Sequence, residues 1–266
     1  GSEMCIRDSN DTILRKWVIV MTDSYDLIVI GAGPGGYVAA IRAAQLGQKV
    51  AIVEKTNAGG TCLNVGCIPS KTLLEHGTKA HDIRKANDWG IETQGMKVNF
   101  SKLVQRKQHI VSTLTGGVKQ LLKKNKVNFI KGEATVTKDL EVKVGNQSYQ
   151  AKDIILATGS KPFIPPIEGL NDIKYETTDT FFDIETLPKQ LAIIGGGVIA
   201  TELASSMADL GVEVTMIEVN EDILLTEIEE VRELLKDHLK NQSIRILTGA
   251  KISKVTTSKV ILDNHE

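Results

Sequence analysis

Cysteine is scarce in these 266 residues: Cys5, Cys62 and Cys67 are too few for the disulfide framework of a small secreted domain. Aromatic residues make up only 4%, and 32 basic against 33 acidic side chains leave a net charge of −1. A surface that stacks nucleic-acid bases between basic side chains has little to be built from, so no nucleic-acid partner is expected. No apolar run approaches the ~18 residues of a membrane span, and Trp17 to Met21 is too short for a signal-peptide core. No membrane association and a cytoplasmic location are therefore expected. Proline is rare, with six residues, while 23 glycines and a 41% hydrophobic share describe a packed globular chain rather than a disordered or fibrous one. At the N-terminus Arg7, Arg15 and Lys16 would suit a transit peptide, but Glu3, Asp8 and Asp11 oppose it. Residues 1–20 read as a tag or non-native extension, with Met21 as the natural start.

What is present is an internal repeat. Residues 26–54 and 190–218 are two copies of one unit at a constant offset of 164. Gly31, Gly33 and Gly36 correspond to Gly195, Gly197 and Ala200, Leu46-Gly47 to Leu210-Gly211, and Glu54 to Glu218. Each copy reads as an apolar strand (Leu27 to Ile30, Leu191 to Ile194), a glycine-rich turn, an alanine-rich helix and a second strand ending in glutamate. A lone G-x-G-x-x-G is weak, but this context gives it a mechanism. The glycines permit a tight turn and close backbone approach, the helix N-terminus offers N–H groups to a pyrophosphate, and the terminal acid meets ribose hydroxyls. The reading is α/β, with two Rossmann-like dinucleotide-binding folds, the second incomplete. Glu218 would repel a 2′-phosphate and no arginine follows in Val219 to Leu224, so NAD is expected over NADP. Two dinucleotide folds side by side suggest a flavin paired with a nicotinamide.

Between the copies, Lys71 to Asn87 and Phe100 to Asn125 read as amphipathic helices whose lysines face solvent. Val127 to Ile130, Ala134 to Thr137, Glu141 to Val144 and Tyr149 to Ala151 read as short strands, and Asp153 to Thr158 as a further buried one. Lys161 to Pro166 reads as a linker. A boundary near Gly159 divides the chain into a first domain, 21–159, and a second, 160–266.

Eight residues after Glu54 comes Cys62-Leu63-Asn64-Val65-Gly66-Cys67. Zinc lacks a second ligand pair of suitable spacing, so no metal is expected; inert buried thiols remain an alternative. The redox reading has a physical basis. Five residues of regular helix rise about 7.5 Å, beyond the ~7 Å Cα limit of a disulfide, so a bridge must bend its helix. Gly66 permits that bend and Pro69 suits the entry to the helix beyond. A thiolate near such a helix start is stabilised by the dipole.

Gly59-Gly60-Thr61-Cys62 through Lys71, with Gly31 to Gly36, Ala157-Thr158-Gly159 and Gly195 to Glu202, resembles the class I pyridine nucleotide-disulfide oxidoreductase family over residues 24–266. Ser70 and Val198 are more similar to its lipoamide dehydrogenase branch than to glutathione reductases, and Leu63 and Ile68 differ from the valines usual in mercuric reductases. The resemblance implies FAD in the first fold, on Gly31, Gly33, Pro34, Gly35, Gly36, Glu54, Lys55, Gly60, Thr61 and Cys62, with Lys71 near the flavin, Thr158 and Gly159 closing over it, and Ala134 by the adenine. It implies NAD in the second fold, on Gly195, Gly196, Gly197, Val198, Ile199, Ala200, Glu202 and Glu218, with Ile252 flanking the adenine. It further implies a redox disulfide, with Cys62 as interchange thiol and Cys67 facing the flavin, and a pairing of Lys71 with Glu202. The implied reaction is oxidation of dihydrolipoamide on a lipoyl-bearing protein of a 2-oxo acid dehydrogenase or glycine cleavage complex, by a homodimer. Such enzymes draw their base from a His-Pro-x-x-x-x-Glu segment that His76, His81, His109, His238 and His265 do not supply. An N-terminal fragment without its catalytic base is expected, the alternatives being a nucleotide-binding fragment without turnover or a related enzyme of the glutathione or mercuric reductase type.

Overall fold

The computed structural model describes residues 23–263, so the expectations for residues 1–20 and for His265 lie outside the described residues. The first sheet is built on β1 (Ser24–Ile30) and β2 (Val50–Glu54), parallel strands joined through helix α1 (Pro34–Gln45). Their side chains are apolar on both faces because both faces are covered: Ile28, Val29, Ala51 and Ile52 are fully buried. β3 (Asn128–Lys131), β4 (Ala134–Val136), β5 (Glu141–Val144) and β6 (Gln147–Leu156) complete a sheet of order β3-β2-β1-β6-β5-β4. β6 is one strand where the sequence suggests two. Gln147 to Gln150 pair with β5, and Gln150 to Leu156 pair with β1, so the polar residues around Lys152 mark a change of partner rather than a break.

The second unit repeats the first in its hydrogen bonds. Strands β7 (Gln190–Ile194) and β8 (Glu213–Ile217) flank a helix, α6 (Val198–Asp209), and their register Leu191↔Val214 is that of Leu27↔Val50 in β1 and β2. Gly31 N donates to Val53 O and Gly195 N to Ile217 O, each at 2.8 Å. β8 then pairs β9 (Arg245–Leu247) as β2 pairs β3. The crossovers differ. Between β8 and β9 runs one helix, α7 (Glu229–Asn241), whereas between β2 and β3 run α2 (Gly60–Val65), α3 (Cys67–Lys85), a 3-10 turn (Ala86–Trp89) and α4 (Phe100–Lys124). Both cysteines of the pair lie in this enlarged crossover. Lys161 to Pro166 has no regular structure, α5 is the short helix Thr178–Phe181, and β10 (Ile252–Val255) with β11 (Val260–Leu262) forms an antiparallel pair. β1 has strands on both sides, but among the described residues β7 has only β8, and Ile194 is 41% exposed where Ile30 is 8%.

One apolar cluster joins the units: Leu73, Ala80 and Leu103 of α3 and α4 pack with Phe181, Phe182, Leu203, Met207, Met216 and Leu239. At its rim the expectation that the helix lysines face solvent fails for Lys107. It is buried, and its Nζ donates to Phe182 O at 2.5 Å and lies 3.4 Å from Asp183 Oδ1. The long aliphatic stem packs with the core while the amine finds a carbonyl left free beyond the end of α5. No described helix is long and apolar enough to cross a membrane.

Candidate active site

Two glycine-rich turns start the site. Gly31 has φ +103°, and a Cβ there would stand 2.1 Å from Ala157 O; one on Gly36 would stand 1.8 Å from Gly31 O. Only glycine fits either place. Gly33 and Gly197 are the N-caps of the twelve-residue helices α1 and α6, Pro34 takes the first turn of α1, and neither helix has a capping side chain or an acid in its first turn. Gly35 and Gly197 face open space: among the described residues nothing outside their own turn and helix backbone lies within 4 Å of where a Cβ would stand. Free N–H groups at a positive helix end beside a side-chain-free backbone form a cradle that fits a dinucleotide's pyrophosphate.

The two acids close these turns. Glu54 Oε2 accepts from Ala32 N at 2.8 Å, and its Oε1 from Thr56 N at 2.7 Å and Thr56 Oγ1 at 2.9 Å. Glu218 does the same with Gly196 N at 2.6 Å and with Asn220 N and Nδ2 at 2.8 and 2.6 Å. Burial works to raise the Glu54 pKa, but the hydrogen bonds from Thr56 and Ala32, with the nearby Lys131 charge, outweigh it and hold the carboxyl below its ordinary value. Oε2 of each acid has taken one donor and keeps capacity for a ribose hydroxyl. Lys55 is exposed and lies 3.4 Å from Glu133, Ala134 opens β4, and Thr158 stands against Gly31. Gly159, at φ +67°, follows it. In the second unit Val198 and Ile199 are exposed at the start of α6, Ala200 is packed against the core, and Ile252 opens β10.

The cysteine pair abuts the first turn. A Cβ on Gly60, which has φ +57°, would stand 2.5 Å from Gly33 Cα, so α2 begins in backbone contact with the cradle. Thr61 and Cys62 follow. The helix then breaks at Gly66, where an added Cβ would lie 3.0 Å from Thr61 O, and Cys67 becomes the first residue of α3. The second helix thus starts at Cys67 rather than Lys71, because the bend needed to bring the cysteines together ends one helix and begins the next. The expected disulfide is present as two free thiols, Cys62 half-buried and Cys67 exposed. Burial, with Cys67 adding to it, pushes Cys62 up to about 11. Cys67 sits at the uncapped positive end of α3.

Helix α3 also crosses α6. Lys71 Nζ contacts Glu202 Oε1, Gly77 lies against Ser206 and Asp209, and farther along His81 and Arg84 meet Asp209. Contacts advance in the same direction along both helices, so they pack parallel. The N-terminal end that bears Cys67 and the N-terminal end that faces the second cradle consequently lie on one side of the molecule. No hydrogen bond joins a histidine to either cysteine among the described residues; His76 Nδ1 is 2.7 Å from Thr72 O, and burial, with Arg106 nearby, lowers its pKa.

Residues 25–266 match the family described as pyridine nucleotide-disulphide oxidoreductase. The chain belongs to this family. Among curated relatives, the dihydrolipoyl dehydrogenase of Acholeplasma laidlawii is 42% identical over 246 residues, covering 90% of this chain and 73% of that protein. The dihydrolipoyl dehydrogenase of Bacillus subtilis is 41% identical over 252 residues, 90% of this chain and 53% of its own length. Among solved structures, the HOCl-induced flavoprotein disulfide reductase RclA of Escherichia coli, as its Cu(II) complex, superposes with a TM-score of 0.78 at 26% identity, covering 90% of this chain and 53% of that one. The chain thus spans about half the length of several relatives and 73% of one. As a pyridine nucleotide-disulphide oxidoreductase it belongs with oxidoreductases that use FAD and a pyridine nucleotide, and the glycine turns fit both.

Both turns, both acids and the cysteine pair lie where the residue pattern puts them, and Lys71 meets Glu202 as the family resemblance implies. Sequence reasoning missed Thr56 and Asn220, which hold the two acids, although their equal distance after Glu54 and Glu218 was a usable signal. It also missed Asp209, buried and shared by His81 Nδ1 at 3.3 Å and Arg84 Nη2 at 3.4 Å, for which the sequence carries no signal.

Proposed function

We propose that this chain carries the FAD-binding fold, the redox dithiol and the first part of the nucleotide fold of a dihydrolipoyl dehydrogenase, with NAD as its nicotinamide. The observation that carries the reading is the position of Cys62 and Cys67, touching the first cradle through Gly60–Gly33 and tied to α6 through Lys71–Glu202. In the oxidised enzyme the two cysteines form a disulfide. A thiolate of dihydrolipoamide attacks Cys62 Sγ, breaking the Cys62–Cys67 bond, and Cys67 leaves as a thiolate at the positive end of α3. The second substrate sulfur then displaces Cys62, so lipoamide departs oxidised and the protein holds two more electrons as its dithiol. Burial pushes Cys62 up to about 11, so the departing sulfur takes up a proton. FAD, bound on Gly31 to Gly36 and Glu54, would supply a two-electron carrier between this dithiol and the nicotinamide. Lys71, held by Glu202, lies on the dithiol helix α3 about one turn beyond Cys67.

The same reading gives 21–159 and 160–266 as the two domains, a cytoplasmic location, a homodimer in the whole enzyme, and a lipoyl-bearing protein of a 2-oxo acid dehydrogenase or glycine cleavage complex as partner. The test is anaerobic bleaching of flavin absorbance in the FAD-loaded chain. Dihydrolipoamide is expected to bleach it, Cys62→Ser and Cys67→Ser are expected to prevent this, and NAD is expected to restore the absorbance faster than NADP. Bleaching by glutathione in preference to dihydrolipoamide, or bleaching that survives Cys67→Ser, overturns the reading.

A further inference from the structure

The charge of this chain is unevenly placed. Residues 93 to 132 contain nine Lys or Arg and no acidic side chain, while the remainder holds 23 basic against 33 acidic residues. Of the nine, only Lys107 has an ion-pair partner among the described residues. Lys119, Lys123, Lys124, Lys126 and Lys131 are exposed together where the C-terminal turn of α4 runs into β3. Lys119, Lys123 and Lys126 line a groove floored by Leu122, Val127 and Phe129. β3 is also the last strand of the six-stranded sheet; among the described residues it bonds only to β2, so one of its backbone edges is open beside the lysines. Helix-end lysines complement the dipole, but that needs one or two charges in the last turn and accounts for neither Lys119 nor Lys131.

We propose that this corner docks an acidic, extended polypeptide segment of a partner protein, which adds to the open edge of β3 while its carboxylates meet Lys119, Lys123, Lys126 and Lys131. An open edge offers N–H and C=O groups in a row, which another backbone satisfies. The lysines repel a second copy of the same edge, and the unpaired charge selects a strand of opposite sign. Nucleic acid fits less well: Phe129 is half-buried, and among the described residues no exposed ring stands among the lysines to stack a base.

The probe is a fluorescein-labelled peptide of about ten residues alternating Glu and Thr, a length that pairs with one short strand. Controls are the matching Lys–Thr peptide and a single-stranded oligonucleotide of the same length, all titrated into the full chain by anisotropy. The acidic peptide is expected to bind and to weaken by about tenfold or more between about 50 and about 200 mM salt, and similarly in the triple variant Lys119→Glu/Lys123→Glu/Lys126→Glu. Amide exchange at Phe129 to Lys131 is expected to slow in its presence. Lys123→Glu alone, expected to weaken binding by about threefold, serves should the triple variant misfold. Absence of acidic-peptide binding at low salt, binding indifferent to charge reversal, unchanged exchange along β3, or tighter binding of the oligonucleotide each overturns the proposal.

Discussion

Gly77 is where the dithiol helix comes closest to the second nucleotide fold, and a methyl group there tests whether that approach is as tight as it looks. A Cβ on Gly77 would lie 3.2 Å from Ser206 Cα, Ser206 O and Asp209 Cβ, two of them backbone atoms of α6 that a rotamer change cannot move. At Gly116 and Gly117, inside α4, nothing among the described residues outside the helix's own backbone lies within 4 Å of where that Cβ would stand. All three are interior helix glycines, so alanine brings each about the same gain in helix propensity, about 1 kcal/mol. At Gly117 that gain stands alone, and Gly117→Ala is expected to stabilise by about that amount. At Gly77 it is opposed by crowding of about 1–3 kcal/mol, because α3 and α6 must part by a few tenths of an ångström or strain in place. The net for Gly77→Ala runs from no change to a loss of about 2 kcal/mol, so the two sites differ by about 1–3 kcal/mol. Urea unfolding of the two variants beside the parent measures this directly, with the denaturant slope checked for constancy. Equal stabilisation at both sites would mean the helices are not in contact at Gly77, and the parallel crossing that aligns Cys67 with the second cradle would lose its footing.

The thiol pair predicts an order of modification: with the dithiol reduced, Cys67 is alkylated first, and Cys62 labelling keeps rising with pH toward about 11, followed by mass spectrometry of timed samples. Labelling of Cys62 first at neutral pH contradicts the geometry. Glu54→Gln replaces one acceptor oxygen with an amide and leaves a buried donor facing Ala32 N or Thr56 N, an expected loss of about 1–3 kcal/mol at neutral pH by denaturant unfolding. Since the folded-state pKa of Glu54 is depressed, its contribution is full above the ordinary carboxylate value and disappears as pH falls through the depressed one. The gap between parent and Glu54→Gln should therefore narrow in acid, and a gap that widens refutes the assignment. Lys107→Met keeps the apolar stem but strands the Phe182 carbonyl, with an expected cost of about 1–3 kcal/mol; a neutral result would mean water already serves that carbonyl.

What the sequence made legible is what backbone geometry demands of particular residue types. The repeat could be seen because tight turns require glycine at fixed spacing and doubly covered strands require unbroken apolar runs, and these constraints recur at the same offset in both units. Contacts between distant elements left no such trace. Lys107 sits at a position that helical periodicity assigns to the charged face, and only the arrival of Phe182 from 75 residues away turns it inward. Asp209 reads as a surface acid at a helix end until α3 lays His81 and Arg84 across it. The third glycine position shows how the two kinds of information combine. Ala200 in place of glycine reads from sequence as a weakening of the second motif. In the first unit the third glycine is required because a Cβ on Gly36 would stand 1.8 Å from Gly31 O. The uncapped helix start and the braced acid that a nucleotide needs are nevertheless the same in both units.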